Sequence, residues 1–114
     1  MLPKIFKTPT ASVVTKQSLS VSIMADCFQE IEKLDLAVVS IHINPKDLDT
    51  LLNNLGTEHF DQKTTEKDIK GSVWGARVHV NNDIPINTIY FCGEYLERCV
   101  KLTFSEDMNE VTNG

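Results

Sequence analysis

The 114-residue chain is sized for one domain, and its 41% of apolar residues supports one modest core, which excludes a disordered chain. No apolar run approaches the ~18 residues of a membrane span, and 19–24 is broken by Ser20 and Ser22, so neither an anchor nor a signal core is expected and the setting is read as cytosolic. A net charge of −5 opposes a role in gripping nucleic acid by its phosphates.

Residues 1–17 contain Pro3, Pro9 and scattered Thr, Ser and Val without a helical period. They read as an extended N-terminal arm, able to pair as a strand through 12–15. Residues 18–104 read as a single α+β domain. It opens on a helix whose apolar stripe is Met24, Cys27, Phe28, Ile31 and Leu34, spaced by three and four. Ser20 or Ser22 can cap its start, and Asp35 marks its stop. A strand over 36–43 follows, with Ala37, Val39, Ile41 and Ile43 expected on one face and Val38, Ser40 and His42 on the other. Asn44, Pro45 and Asp47 then supply an N-cap, an N1 proline and a first-turn acid. Leu48, Leu51, Leu52 and Leu55 form the buried stripe of the second helix, and Gly56 ends it.

The polar stretch 57–70 reads as a surface loop. The segment 71–93 reads as two strands joined by a loop, a hairpin-like core. Trp74 and Gly75 make its corner, with Trp74 expected as a core or interface anchor, the core favoured. Ala76, Val78 and Val80 alternate there with Arg77, His79 and Asn81, the period of a half-buried strand. Residues 81–85 carry loop chemistry around Pro85, and 88–92 form a β-branched and aromatic strand that Gly93 closes. Val100, Leu102 and Phe104 alternate with Lys101 and Thr103 in a last strand, and 105–114 form an acidic tail. The fold class is therefore α+β: a small mixed, largely antiparallel sheet with two helices, an extended N-terminal arm and a C-terminal tail. The ends differ in charge. Residues 1–25 hold Lys4, Lys7 and Lys16 and no acid, whereas the tail holds Glu106, Asp107 and Glu110 and no base.

No catalytic constellation emerges. Cys27, Cys92 and Cys99 are odd in number and lack C-x-x-C spacing, which argues against a disulfide framework or a zinc finger and reads as reduced, buried thiols. His42 and His79 lie on the polar faces of two strands and would be adjacent if those strands are neighbours, but two histidines fall short of a zinc site. No phosphate-binding glycine loop is present. No catalytic, cofactor-binding or metal residues are assigned, and no cofactor is expected.

The order of segments adds a resemblance. A helix precedes the strand A-V-V-S-I-H-I, which runs into the helix start N-P-K-D; later G-S-V-W-G-A-R-V-H-V leads through I-P to N-T-I-Y-F-C-G. This resembles the axial-domain part of tailed-bacteriophage major capsid proteins, the fold shared with encapsulin shells. It covers roughly residues 24–104 and rests on Ile43-Asn44-Pro45, Val73-Trp74-Gly75-Ala76 and Ile84-Pro85. Full members are much longer, so the resemblance implies a shortened virion structural protein. Such a protein would be assembled in the host cytoplasm and would form homo-oligomers and contacts with other virion proteins, with no specific nucleic acid, no membrane and no enzymatic activity. The expected assembly contacts are Leu2, Lys4, Ile5, Phe6, Lys7 and Lys16 of the arm, and the expected structural anchors are Asn44, Pro45, Trp74, Gly75 and Pro85. The alternatives are a small cytosolic adaptor or binding module of prophage origin and a metal-dependent enzyme using His42 and His79.

Overall fold

The structure, a computed structural model, describes residues 2–34, 37–64, 66–94 and 98–105. The acidic tail beyond Ser105, the expected helix stop at Asp35 and the expected strand start at Leu36 lie outside the described residues. Among those described, seven strands make one mixed sheet: β1 (Ala11–Ser18), β2 (Val38–Ile43), β3 (Phe60–Asp61), β4 (Ile69–Val73), β5 (Ala76–Val80), β6 (Thr88–Gly93) and β7 (Cys99–Ser105). Their order across the sheet is β1-β7-β6-β2-β5-β4-β3. The β1–β7 and β2–β5 pairings are parallel and the other four antiparallel, so the sheet is mixed and largely antiparallel.

Two helices, α2 (Val21–Glu32) and α3 (Leu48–Leu55), belong to the main core with one face of the sheet, and a single helical turn, α1 (Lys4–Lys7), covers part of the other. Ser20 caps α2, its Oγ accepting from the Ile23 amide at 3.2 Å. Ile23, Met24, Cys27 and Ile31 bury the inner stripe of α2, while Leu34 lies past the helix end and is exposed. In the same core stand Ile41, Val78, Ile89, Phe91, Val100 and Leu102 of the central strands. Asn44 caps a 3-10 turn (Pro45–Asp47), its Oδ1 accepting from the Lys46 amide at 2.9 Å, and α3 follows at once. Gly56 ends α3 at φ +75, its amide bonded to the Leu52 carbonyl at 2.7 Å.

Four expectations need correction. First, the two strands on either side of the 81–87 connection, β5 and β6, do not pair with each other: β2 lies between them. The 81–87 connection steps over the end of β2, where Asn44 Nδ2 donates to the Ile84 carbonyl at 2.8 Å and the Asn87 amide donates to Asp47 Oδ2 at 2.9 Å. Alternation marks a strand's faces and carries no information about its neighbours. Second, Trp74 is 41% exposed. It shares the two-residue β4–β5 turn with Gly75, and both have positive φ (50° and 87°), the pattern of a type I′ hairpin turn. A residue at a hairpin tip projects beyond the sheet. Third, Val38 belongs to the main core, because the ladder to β6 slips by one residue between Val38 and Ser40. One bulged residue inverts the in-out parity that simple alternation assigns. Fourth, the 57–70 loop contains β3, and Phe60 in it is buried. It packs there because Gly71, at φ +146, leaves room that a Cβ would fill against the Asp61 carbonyl and the Phe60 ring.

The arm is tied to its own domain over much of its length. Ala11–Ser18 is the edge strand β1, parallel to β7, and Phe6 is buried under the second face of the sheet. Leu2 and Ile5 pack partly against the same cluster, whereas Lys4, Lys7 and Lys16 are exposed.

Candidate functional site

Strand register places the chemistry-bearing side chains on the face opposite α2 and α3. His42 of β2 sits opposite His79 of β5 and opposite Tyr90 of β6, and Tyr90 sits opposite Lys101 of β7. One row of side chains therefore crosses four strands. One pleat away, Ser40 faces Arg77 on one side and Cys92 on the other, and Cys92 faces Cys99. The Ser40–Cys92 pair continues the regular β2–β6 ladder of His42–Tyr90, and the register shifts only beyond it, between Ser40 and Val38.

The rings stack into a continuous series. Phe6 lies over Tyr90 with centroids 4.4 Å apart and 14° between planes, and it meets His42 at 5.0 Å and 58°. His42 and His79 stack at 5.0 Å and 11°. The two histidines are thus adjacent across a parallel pair, the arrangement that neighbouring strands would give. His79 is held below the ordinary histidine pKa, first by burial and then by the nearby His42 and Arg77, which oppose a second positive charge. Among the described residues no group of three His, Cys, Asp or Glu is placed to hold a metal ion.

Below the rings, Ser40 Oγ and His42 Nε2 are 2.9 Å apart. Ser40 stands opposite Cys92 and Cys92 opposite Cys99, so Cys99 and the Ser40–His42 pair both neighbour the Cys92 thiol. These polar neighbours favour its thiolate: Cys92 is lowered to about 6, by Cys99 first, against its own burial, with His42 and Ser40 adding to the effect. Cys99 is pushed the other way by Cys92 and by burial, so it keeps its proton while Cys92 gives one up. Tyr90 is also raised, by burial and by Cys99. Cys27, in the main core, is pushed up to about 12 by burial, with Asp26 and Glu30 adding to it.

An open hollow of about 510 Å³ adjoins this row, lined by Val39, Ser40, His42, Arg77, His79 and Glu94 among others. The histidine edges are half-buried beside it, while both Cys92 and Cys99 are fully covered. The sequence singled out His42 and His79 by their polar-face positions. It missed Ser40, Cys92 and Cys99 as a group because pairing across β2, β6 and β7 brings them together over long sequence separations.

The expected anchors divide. Asn44 is a true anchor, capping the 3-10 turn and holding the 81–87 connection. Pro45 stands at N1 and is half-buried, Gly75 supplies the hairpin φ, and Pro85 is exposed. Trp74 lies over α2 instead of within the core: its ring meets Phe28 edge-on at 5.0 Å, and its Nε1 donates to His59 Nδ1 at 3.1 Å. No protein-family model matches this chain, and neither curated proteins nor solved structures give a match.

Proposed function

We propose that this chain is a structural protein of tailed-phage-type virions. It works by self-association and by contacts with other virion proteins, in a head, a neck, a tail or a decoration layer. It is assembled in the host cytoplasm and needs no cofactor and no catalytic residue. The order of segments and the Asn44-Pro45, Trp74-Gly75 and Ile84-Pro85 motifs support the virion assignment.

The single observation that carries the mode of action is the outer edge of β1. This strand ends the sheet and runs for 8 residues, and Val14 on it is 76% exposed. Soluble monomers protect such edges with charges, prolines, bulges or covering segments. Within β1 the one charged side chain is Lys16, the strand contains no proline, and its ladder to β7 shifts register between Val14 and Ser18, so the regular edge on offer is Ala11–Val14. At the other end of the sheet β3 has only 2 residues, too few to template a partner. The β1 edge therefore offers backbone groups and an apolar side chain to an added strand, the mode in which main-chain bonds supply affinity and side chains supply register. Two copies joined β1 to β1 about a two-fold axis would extend one sheet into the next, a closed and self-complementary contact. The exposed Lys4 and Lys7 precede that edge in sequence and Lys16 lies on it; they serve register more than affinity, because exposed charge pairs contribute only ~0–1 kcal/mol.

The test is light scattering of the purified chain across a concentration series, alongside Val14→Lys. Wild-type protein should show a defined multiple of the monomer mass, and the variant should shift to monomer with its fold unchanged. A wild-type monomer at every concentration would overturn self-association and leave the adaptor reading.

A further inference from the structure

The assembly reading leaves two thiols without a role. Cys92 and Cys99 stand directly opposite each other on antiparallel strands, both fully buried. We propose that they form an oxidation site, at which a peroxide-class oxidant converts the pair to an intramolecular disulfide between β6 and β7, with Cys92 the attacking sulfur and His42 and Ser40 its positioning partners.

The backbone sets the distance. The Cys99 carbonyl accepts from the Thr10 amide at 2.8 Å and the Cys99 amide donates to Thr10 Oγ1 at 3.3 Å, so both groups point away from β6. Cys92 and Cys99 are therefore the closer, non-hydrogen-bonded kind of antiparallel pair, with Cα atoms about 4.5 Å apart. A disulfide spans Cα separations of roughly 4.4–6.8 Å, so the link forms with little backbone movement. As a directly opposed pair, the two side chains leave the sheet on the same face.

The chemistry is asymmetric. His42 and Ser40 face Cys92 and stabilise its thiolate, whereas Cys99 has Tyr90 and Cys92 near it and stays protonated. His79 reaches Cys92 only through His42, on which it stacks. In the first step Cys92 sulfur attacks a peroxide oxygen: an S–O bond forms, the O–O bond breaks, and the leaving hydroxide takes up the proton that Cys92 released. In the second step Cys99 sulfur attacks Cys92: the S–S bond forms, the S–O bond breaks, and the departing hydroxide leaves as water with the Cys99 proton. Two thiols and one hydrogen peroxide yield one disulfide and two waters. Phe6 covers the pair, so the reaction requires the α1 turn to lift. That turn has 4 residues and no side-chain cap, features of a segment that opens at low cost.

The experiment uses the full chain, exposed to hydrogen peroxide, then unfolded and labelled with a maleimide. Reduced protein carries three labels, and oxidised monomer should carry one, on Cys27. Proteolysis after Arg98 should release Cys92 and Cys99 peptides joined until a reductant is added. Retention of all three labels, or loss through links between chains or through sulfinic acid at Cys92, would overturn the proposal. The pH dependence of the rate separates positioning from mere packing. His42→Phe keeps a ring against Phe6, and the rate midpoint should move up by about one pH unit or more as Cys92 returns toward the ordinary thiol range. Ser40→Ala is the milder companion and should move it the same way. Unmoved midpoints in both variants would refute the assigned roles of His42 and Ser40.

Discussion

Gly71 and Gly75 stand close together on the β4–β5 hairpin, yet they meet different surroundings. A Cβ at Gly71 would run into the Asp61 carbonyl and the Phe60 ring, whereas a Cβ at Gly75 meets nothing within 4 Å. Gly71→Ala should therefore cost about 3 kcal/mol from overpacking and backbone strain together. Gly75→Ala should cost about 1 kcal/mol from its positive φ alone. Denaturant midpoints of the two variants would rank them. Trp74 follows the same logic of local surroundings. It keeps an edge-on contact with Phe28 and one bond to His59, so Trp74→Ala should cost about 1 kcal/mol. A fully buried aromatic would cost ~3–5 kcal/mol, and a loss of that size in a thermal melt would contradict the exposed placement. His79 adds a pH dependence. Its folded pKa lies below the unfolded value, so the unfolded chain binds the proton more readily. Stability should be flat above about pH 6.5 and fall as pH drops through the unfolded value toward the folded one. Urea unfolding at neutral and mildly acid pH should show that loss, reduced in His79→Gln.

At the scale of elements, the 81–87 connection decides which strands are neighbours. It has few apolar groups to bury apart from Ile84, so polar pins hold it: Asn44 Nδ2 on the Ile84 carbonyl, Asp47 Oδ2 on the Asn87 amide, and the Asn81 amide on the Ile43 carbonyl at 2.9 Å. Asn44 serves two elements at once, since its Oδ1 also caps the 3-10 turn ahead of α3. Asn44→Ala should cost about 2 kcal/mol, a cap plus a buried bond whose carbonyl partner is left unpaired. Hydrogen exchange should show the effect concentrated at the α3 start and in 81–87. A uniform loss across the sheet would mean that Asn44 acts through the core instead.

At the scale of the whole molecule, the N-terminal segment is both part of the fold and a surface for association. Deleting residues 1–17 would remove nearly all of β1 and the Phe6 cover, and would expose β7 as a new edge. Such a truncation should aggregate or unfold, so it cannot separate an assembly contact from a structural one. Reversing Lys4, Lys7 and Lys16 to Glu leaves β1 and Phe6 in place. That variant should weaken self-association in a manner that depends on salt, because exposed charges are screened over about 10 Å at 0.1 M. Sedimentation at two salt concentrations checks it, and unchanged assembly would confine the contact to the strand edge.

The sequence by itself determined the elements whose signals are local. The stripe of α2 with its Ser20 cap, the Asn44-Pro45 start and Gly56 stop around α3, and the alternation of β5 and β7 all depend on residues a few positions apart. It also placed His42 and His79 on polar faces. Only the tertiary structure decided that β2 lies between β5 and β6, that the β2–β6 register brings Ser40 opposite Cys92, and that Phe6 of the arm closes over Tyr90 and His42. Period and capping report how a segment meets solvent and its own backbone. Which strand lies beside which is set by packing and by connections far apart in the chain, and the thiol pair exists only through that pairing.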